Sequence, residues 1–176
     1  MTVDIKEQTQ ASLVERSFPD LRDIEAFIHD EVRLLDDRRF EEWMELFADD
    51  GIYWVPTTPG QINPERTVSL FYDDKNAMKA RITRLRHPRI YVQSPPSRTR
   101  HVVSGFRVEK ADLPPGERVI SSSFIMLEYR QGYEQRIFGG QYLHRLRLGE
   151  ERLRIVLKRV ELINCDESFR AMAVPF

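Results

Sequence analysis

Histidine, carboxylate and tyrosine side chains are the groups in this sequence whose types suit proton transfer. There are four histidines, His29, His87, His101 and His144. General acid–base chemistry needs a donor and an acceptor converging on one substrate atom pair. His101 or His144, Asp36 or Asp37, and Tyr53 would have to meet in one cavity to supply it. The competing reading makes His101 a strand residue bonded to a loop carbonyl and Asp36-Asp37 the end of a helix.

Metal chemistry finds less support. A mononuclear non-haem iron takes two histidines and a carboxylate on one face, and the four histidines form no close pair. A Rieske cluster takes two cysteines and two histidines, whereas Cys165 is the only cysteine. Gly139-Gly140 is not followed by the helix pattern of a phosphate loop. Ser121-Ser122-Ser123 lies mid-strand, where cross-strand hydrogen bonding is its expected role. No catalytic, cofactor or metal residue is expected in the chain.

Arg98 and Arg100 are two apart and so share a strand face, a pattern that suits bidentate binding of carboxylates across an interface or within the sheet. They belong to a window, Lys75 to Val108, with nine basic and no acidic residues, while residues 1–50 hold 15 acidic and six basic ones, net −9. The opposite patches cancel to a net charge of −1, and their separation suggests electrostatic steering of a partner. Tyr91 and Phe106 would let the basic window stack bases, but the acidic half repels phosphate and no nucleic-acid partner is expected. Trp43, Phe40 and Phe47 read as core. Tyr53, Trp54, Met172, Val174 and Phe176 are either core or apolar anchors of a subunit contact.

Regular elements must position these groups. Residues 1–16 read as a polar arm and 17–176 as one domain, a size that supports a single core. Ser17 is a candidate helix cap, with Pro19 and Asp20 in the first turn and Leu21, Ile24, Ile28, Val32 and Leu35 at helical spacing. Phe40, Trp43, Met44 and Phe47 mark a second short helix, ended by an Asp49-Asp50-Gly51 turn. Ile52 to Val55 is a short strand, Pro56 to Pro64 a loop, and Asp74 to Leu85 a third helix. Strands follow at about 99–110, 117–130, 134–148 and 151–163, joined by short turns that make neighbours antiparallel. Tyr142, His144, Leu146 and Leu148 share one face, as do Leu153, Ile155 and Leu157. Gly139-Gly140 suits a bend or bulge. Helices followed by a long meander make an α+β protein, about six strands in a curved sheet with helices on one face. The single cysteine suits a reducing cytosol. Met1 to Glu7 has no apolar leader core and no run approaches a membrane span, so a cytoplasmic location is expected.

Several ordered fragments resemble the β subunits of Rieske-type aromatic-ring dioxygenases. They are Glu42-Trp43, Ile52-Tyr53-Trp54-Val55-Pro56, Phe71-Tyr72-Asp73-Asp74-Lys75, Arg81-Ile82-Thr83-Arg84 and Pro95-Pro96-Ser97-Arg98-Thr99-Arg100-His101-Val102-Val103-Ser104. Ser121-Ser122-Ser123-Phe124 and Lys158-Arg159-Val160-Glu161-Leu162 extend the set. The hydrocarbon (biphenyl, toluene) branch is the nearer in texture. The resemblance implies the cone-shaped fold shared with nuclear-transport-factor-like proteins and scytalone dehydratase. It implies a non-catalytic small subunit that assembles with a large α subunit, three of each, the β chains touching in a trimer. The large subunit would hold the Rieske cluster and the mononuclear iron and cis-dihydroxylate an arene, with electrons from a ferredoxin or a reductase and ultimately NADH. Gly139-Gly140-Gln141 stands where many relatives have Gly-Arg-Arg, and the tail from Cys165 to Phe176 also departs from the family pattern. The alternative is a stand-alone cone-fold dehydratase or isomerase using His101, Tyr53 and Asp36.

Overall fold

The apolar stripe of the first helix and the alternation of the last four strands meet across one core. The computed structural model describes residues 18–87, 93–169 and 172–176; the arm at 1–16, the Ser17 cap and Tyr91 lie outside the described residues. Helix α1 spans Leu21–Asp36, α2 Phe40–Met44 and α3 Lys75–Arg86; strands are β1 Phe47–Pro56, β2 Ser69–Asp73, β3 Arg98–Glu109, β4 Glu117–Tyr129, β5 Arg136–Leu148 and β6 Leu153–Leu162. The six strands form one sheet in the order β2-β1-β6-β5-β4-β3. All neighbours are antiparallel except β1 and β6, which run parallel.

Asp20 is the cap of α1: its backbone is extended and its carboxylate accepts the Asp23 N–H, so the helix starts at Leu21 rather than at Pro19. Ile24, Ile28, Val32 and Leu35 are buried, and so is Glu31 on the same stripe. Trp43 and Phe40 are core, as read from their spacing. Helix α2 stops at Met44, however, and Phe47 opens β1. Asp49-Asp50-Gly51 is therefore part of β1 and not a turn. Its irregular register against β6, from Phe47 opposite Ile155 to Ile52 opposite Leu157, absorbs residues that would otherwise break the pairing. Strand β2, unmarked by any alternation, pairs with β1 only over Tyr53 to Pro56.

The register of β6 decides what lies at the centre. Arg145 pairs with Leu157 and Leu146 with Ile155, so Val156 is an extra residue and the side-chain phase inverts there. Leu157, expected on the buried face with Leu153 and Ile155, is only partly buried, and Lys158, Val160 and Leu162 point inward instead. The phase of β5 holds over its middle: Tyr142, His144 and Leu146 are buried.

The two charge windows meet within the chain. Lys75 pairs with Asp49, Arg86 with Glu41 and Arg100 with Asp36, so part of the opposite charge is spent on packing α3 and β3 against the N-terminal half.

Candidate functional site

The apolar phase of α1, β5 and β6 carries four polar side chains into the cone's interior. Glu31, Lys158, His144 and Tyr142 are all buried, the first three and the Tyr142 residue at 0% exposure. Glu31 Oε1 accepts from Trp43 Nε1 at 2.6 Å and from Lys158 Nζ at 2.6 Å. The Lys158 ammonium lies 4.5 Å from the centroid of the Tyr142 ring, a desolvated cation–π contact. His144 Nε2 stands 3.5 Å from Glu31 Oε2, too long for more than a weak bond.

Burial by itself raises the Glu31 carboxyl, but the Lys158 ammonium and the His144 imidazole outweigh it and hold it at about 2. Burial pulls Lys158 below its usual range, against the attraction of Glu31, and pushes the Tyr142 phenol well up. Burial also holds the His144 imidazole below its ordinary 6.5, against Glu31. A charge-balanced Glu31–Lys158 pair beside a neutral imidazole results.

These shifts give stability a two-stage dependence on pH. The unfolded chain binds the His144 proton that the folded chain refuses, so this contribution is complete above about 6.5 and falls as the pH drops below it. The Glu31 contribution is complete above about 4.5 and is lost as the pH falls toward 2. Urea midpoints taken from pH 7.5 to pH 3 should therefore decline first gently and then steeply. In His144→Gln the upper decline should flatten; an unaltered profile would contradict the assignment.

Asp36 and His101 are brought together, as the acid–base reading required. His101 Nδ1 lies 2.6 Å from Asp36 Oδ1, the His101 N–H donates to Oδ2 at 3.0 Å, and Thr99 Oγ1 donates to Oδ1 at 2.9 Å. Burial, which raises the Asp36 carboxyl, is outweighed by these bonds from His101, and the group sits below its ordinary value. Asp36 ends α1 and binds the edge strand β3, so its work is to tie helix to sheet and occupy an edge N–H that would otherwise be open to another strand. Asp37 is the C-terminal cap residue of α1.

Tyr53 does not join them through any hydrogen bond. Its hydroxyl accepts the Phe176 N–H at 2.9 Å, its ring meets Trp43 and Phe71, and burial pushes its phenol far up. Tyr53 is wholly buried and Trp54 is 5% exposed, so neither is an exposed anchor in this chain. Trp54 is covered by the Arg159 guanidinium, 4.4 Å from its ring, and by Tyr72, and donates to Ser69 Oγ. Arg98 and Arg100 both stay exposed; Arg98 lies over Tyr129 at 5.2 Å.

The interior cluster was missed by spacing arguments. Glu31 falls on the α1 stripe between Ile28 and Leu35, and that was the available signal; Lys158 had none, because only the bulge at Val156 turns it inward. Neither iron centre fits the residues present. One cysteine falls short of a Rieske ligand set, and no group of three or more His, Cys, Asp or Glu among the described residues is placed to hold a metal.

Residues 30–166 match the family model described as the ring hydroxylating beta subunit. The chain belongs to that family. It is 36% identical over 138 residues to the benzene 1,2-dioxygenase subunit beta of Pseudomonas putida, covering 73% of each chain. The β subunit of the benzoate 1,2-dioxygenase of Burkholderia mallei superposes with a TM-score of 0.69 at 26% identity, over 84% of this chain and 93% of that one. A protein assigned as a scytalone dehydratase from Novosphingobium aromaticivorans shares the fold, with a TM-score of 0.61 at 20% identity over 88% and 91% of the two chains. This β subunit is thus an α+β cone and a non-catalytic small component of a multicomponent aromatic-ring-hydroxylating dioxygenase. The stand-alone dehydratase reading with His101, Tyr53 and Asp36 gives way to it; Asp36 is bound to His101, and the Tyr53 hydroxyl to the Phe176 N–H. No described helix is long and apolar enough to cross a membrane.

Proposed function

We propose that this β subunit forms the trimeric base of a three-plus-three hexamer and holds a large subunit that carries the Rieske cluster and the mononuclear iron. The large subunit cis-dihydroxylates an arene of the hydrocarbon type, with electrons from a ferredoxin or a reductase and ultimately NADH. The assembly is cytoplasmic, and this chain contributes shape and contacts rather than reacting groups.

The observation that carries the reading is family membership over 30–166. The outer face of the sheet supports it. Val102 pairs with Ile125 and Leu127 with Ile137 in the register of β3, β4 and β5. Val102, Ile125 and Ile137 are 56%, 52% and 67% exposed, and Arg98 and Arg100 border them on β3. An apolar centre with arginines at its rim is the composition of a subunit contact.

Arg98→Glu with Arg100→Glu tests the charged part. Arg100 is 70% exposed and its Asp36 contact is 3.7 Å, so its loss costs folding less than about 1 kcal/mol. Co-purification of the double variant with the large subunit should fall at least tenfold at low salt, while its circular dichroism and melting temperature stay those of the parent. Iron should follow the large subunit through the separation. Assembly at the parent level would overturn the role given to these arginines, and a lone homo-oligomer that recruits no large chain would overturn the reading as a whole.

A further inference from the structure

Ile125 on β4 pairs with Val102 of β3 on one side and with Gly139 of β5 on the other, so the outer face of the sheet carries a ridge and a groove side by side. The ridge is the start of β3, where Arg98, Arg100 and Val102 alternate outward and all three are exposed. Arg98 rests on the Tyr129 ring and Arg100 keeps only a 3.7 Å approach to Asp36, so both guanidiniums hold donors for a further carboxylate. The groove has a volume of about 520 Å³; Gly139 and Gly140 leave its floor without side chains, Pro59, Ile125 and Ile163 wall it, and Glu161 is the one charged group in its lining. Ile163 is 84% exposed. Glu161 is held by Arg159, whereas Asp166 and Glu167, just past Cys165, are exposed and make no ion pair among the described residues. Burial first, and then the Asp166 and Glu161 carboxylates, push the Cys165 thiol in the groove above its usual range, so the field there is negative. An apolar groove with an acidic rim thus lies two strands, about 10 Å, from an apolar ridge that carries arginines.

We propose that the ridge of one copy seats in the groove of the next, Val102 over Gly139 with Arg98 and Arg100 against Asp166 and Glu167, and that this contact builds the trimeric base. The contact rests on the small-subunit reading above and gives the two arginines a partner, a second copy of this chain rather than the large subunit. Charge selects that occupant. The ridge brings two cations and the groove rim a surplus of carboxylates, so ridge attracts groove, while ridge against ridge or groove against groove is repelled. Contact between two different patches generates a ring where the rotation closes and a filament where it does not. Patches this close together place the rotation axis beside Ile125, the arrangement of a small ring. Capture of the large subunit then follows formation of the trimer.

Sedimentation velocity of the isolated full chain at micromolar concentration tests the contact. The parent should run as a trimer that weakens as salt is raised. Arg98→Glu with Arg100→Glu should run as a monomer with the parent's circular dichroism, and so should Gly139→Leu, which fills the groove without altering charge. Asp166→Lys with Glu167→Lys should also run as a monomer. All four reversals in one chain restore the opposite signs and should bring the trimer back. A parent that is monomeric by itself, a trimer unmoved by the arginine reversal, or a quadruple variant without rescue would overturn the contact; recruitment of the large subunit in any of these cases leaves the small-subunit reading standing without it. A trimer lost and rescued as expected, in a chain that recruits no large subunit, would keep the contact and overturn that reading instead. Should Gly139→Leu not fold, the four charged positions decide, since all of them are exposed.

Discussion

Lys158→Met should cost the fold about 3–5 kcal/mol, because it leaves the Glu31 carboxylate buried without its counter-charge. With a urea dependence of ~2 kcal/mol per molar, the unfolding midpoint should move down by roughly 2 M. The carboxylate retains the Trp43 N–H, one neutral donor in place of an ammonium. It should therefore take up a proton at a higher pH than the parent's value of about 2, since burial is then opposed by the His144 imidazole and the Trp43 N–H without the Lys158 ammonium. Stability of the variant should accordingly improve as the pH is lowered from 7 toward 5, opposite to the parent. The double variant Glu31→Leu, Lys158→Met replaces both charges by side chains of similar volume and should recover most of the loss, as buried ion pairs often yield to apolar packing at little cost. A double variant as unstable as Lys158→Met alone would show that the pair contributes more than mutual neutralisation. Because Glu31 on α1 and Lys158 on β6 are 127 positions apart, the pair also locates the helix over the sheet.

Gly140→Ala should be the most damaging single methyl in the sheet. A Cβ at Gly140 would fall 1.9 Å from the Glu161 carbonyl oxygen and 3.0 Å from the Leu162 Cα, all backbone of β6. Backbone cannot rotate aside as a side chain would, so β5 and β6 must separate where Gly140 pairs with Leu162. Destabilisation of roughly 3 kcal/mol or more is expected, the upper range for overpacking. Gly139→Ala is the control: its nearest neighbour is the Phe124 carbonyl at 3.5 Å, ordinary contact, and the change should stay within about 1 kcal/mol. Parallel melting curves of the two variants separate a close approach of strands from a general need for glycine. Similar losses in both would point to backbone flexibility instead. The close approach gives Gly140 a physical reason that its place in a Gly-Gly pair only hinted at.

Local patterns in the sequence were enough for the class of this protein. The α1 stripe, the third helix and the four long strands each carry their period in adjacent residues, and period follows from backbone geometry alone. The lone Cys165 and the scattered histidines likewise limited the iron chemistry before any fold was considered, since ligand identity is a property of composition. The ordered fragments from Glu42 to Leu162 carried the family.

Tertiary structure decided what those patterns could not reach. Strand β2 is five residues long and too short to show alternation. The parallel pairing of β1 with β6 joins segments about a hundred residues apart, for which no local signal exists. The bulge at Val156 inverts a phase that alternation alone would continue, and only the register with β5 reveals it. That inversion places Lys158 inside, where Glu31 meets it, and turns two charges that a sequence assigns to solvent into the centre of the core. Asp36 and Tyr53, read as partners in acid–base work, go to different tasks for the same reason: each is claimed by a backbone N–H, of His101 and of Phe176, that only the folded chain brings near.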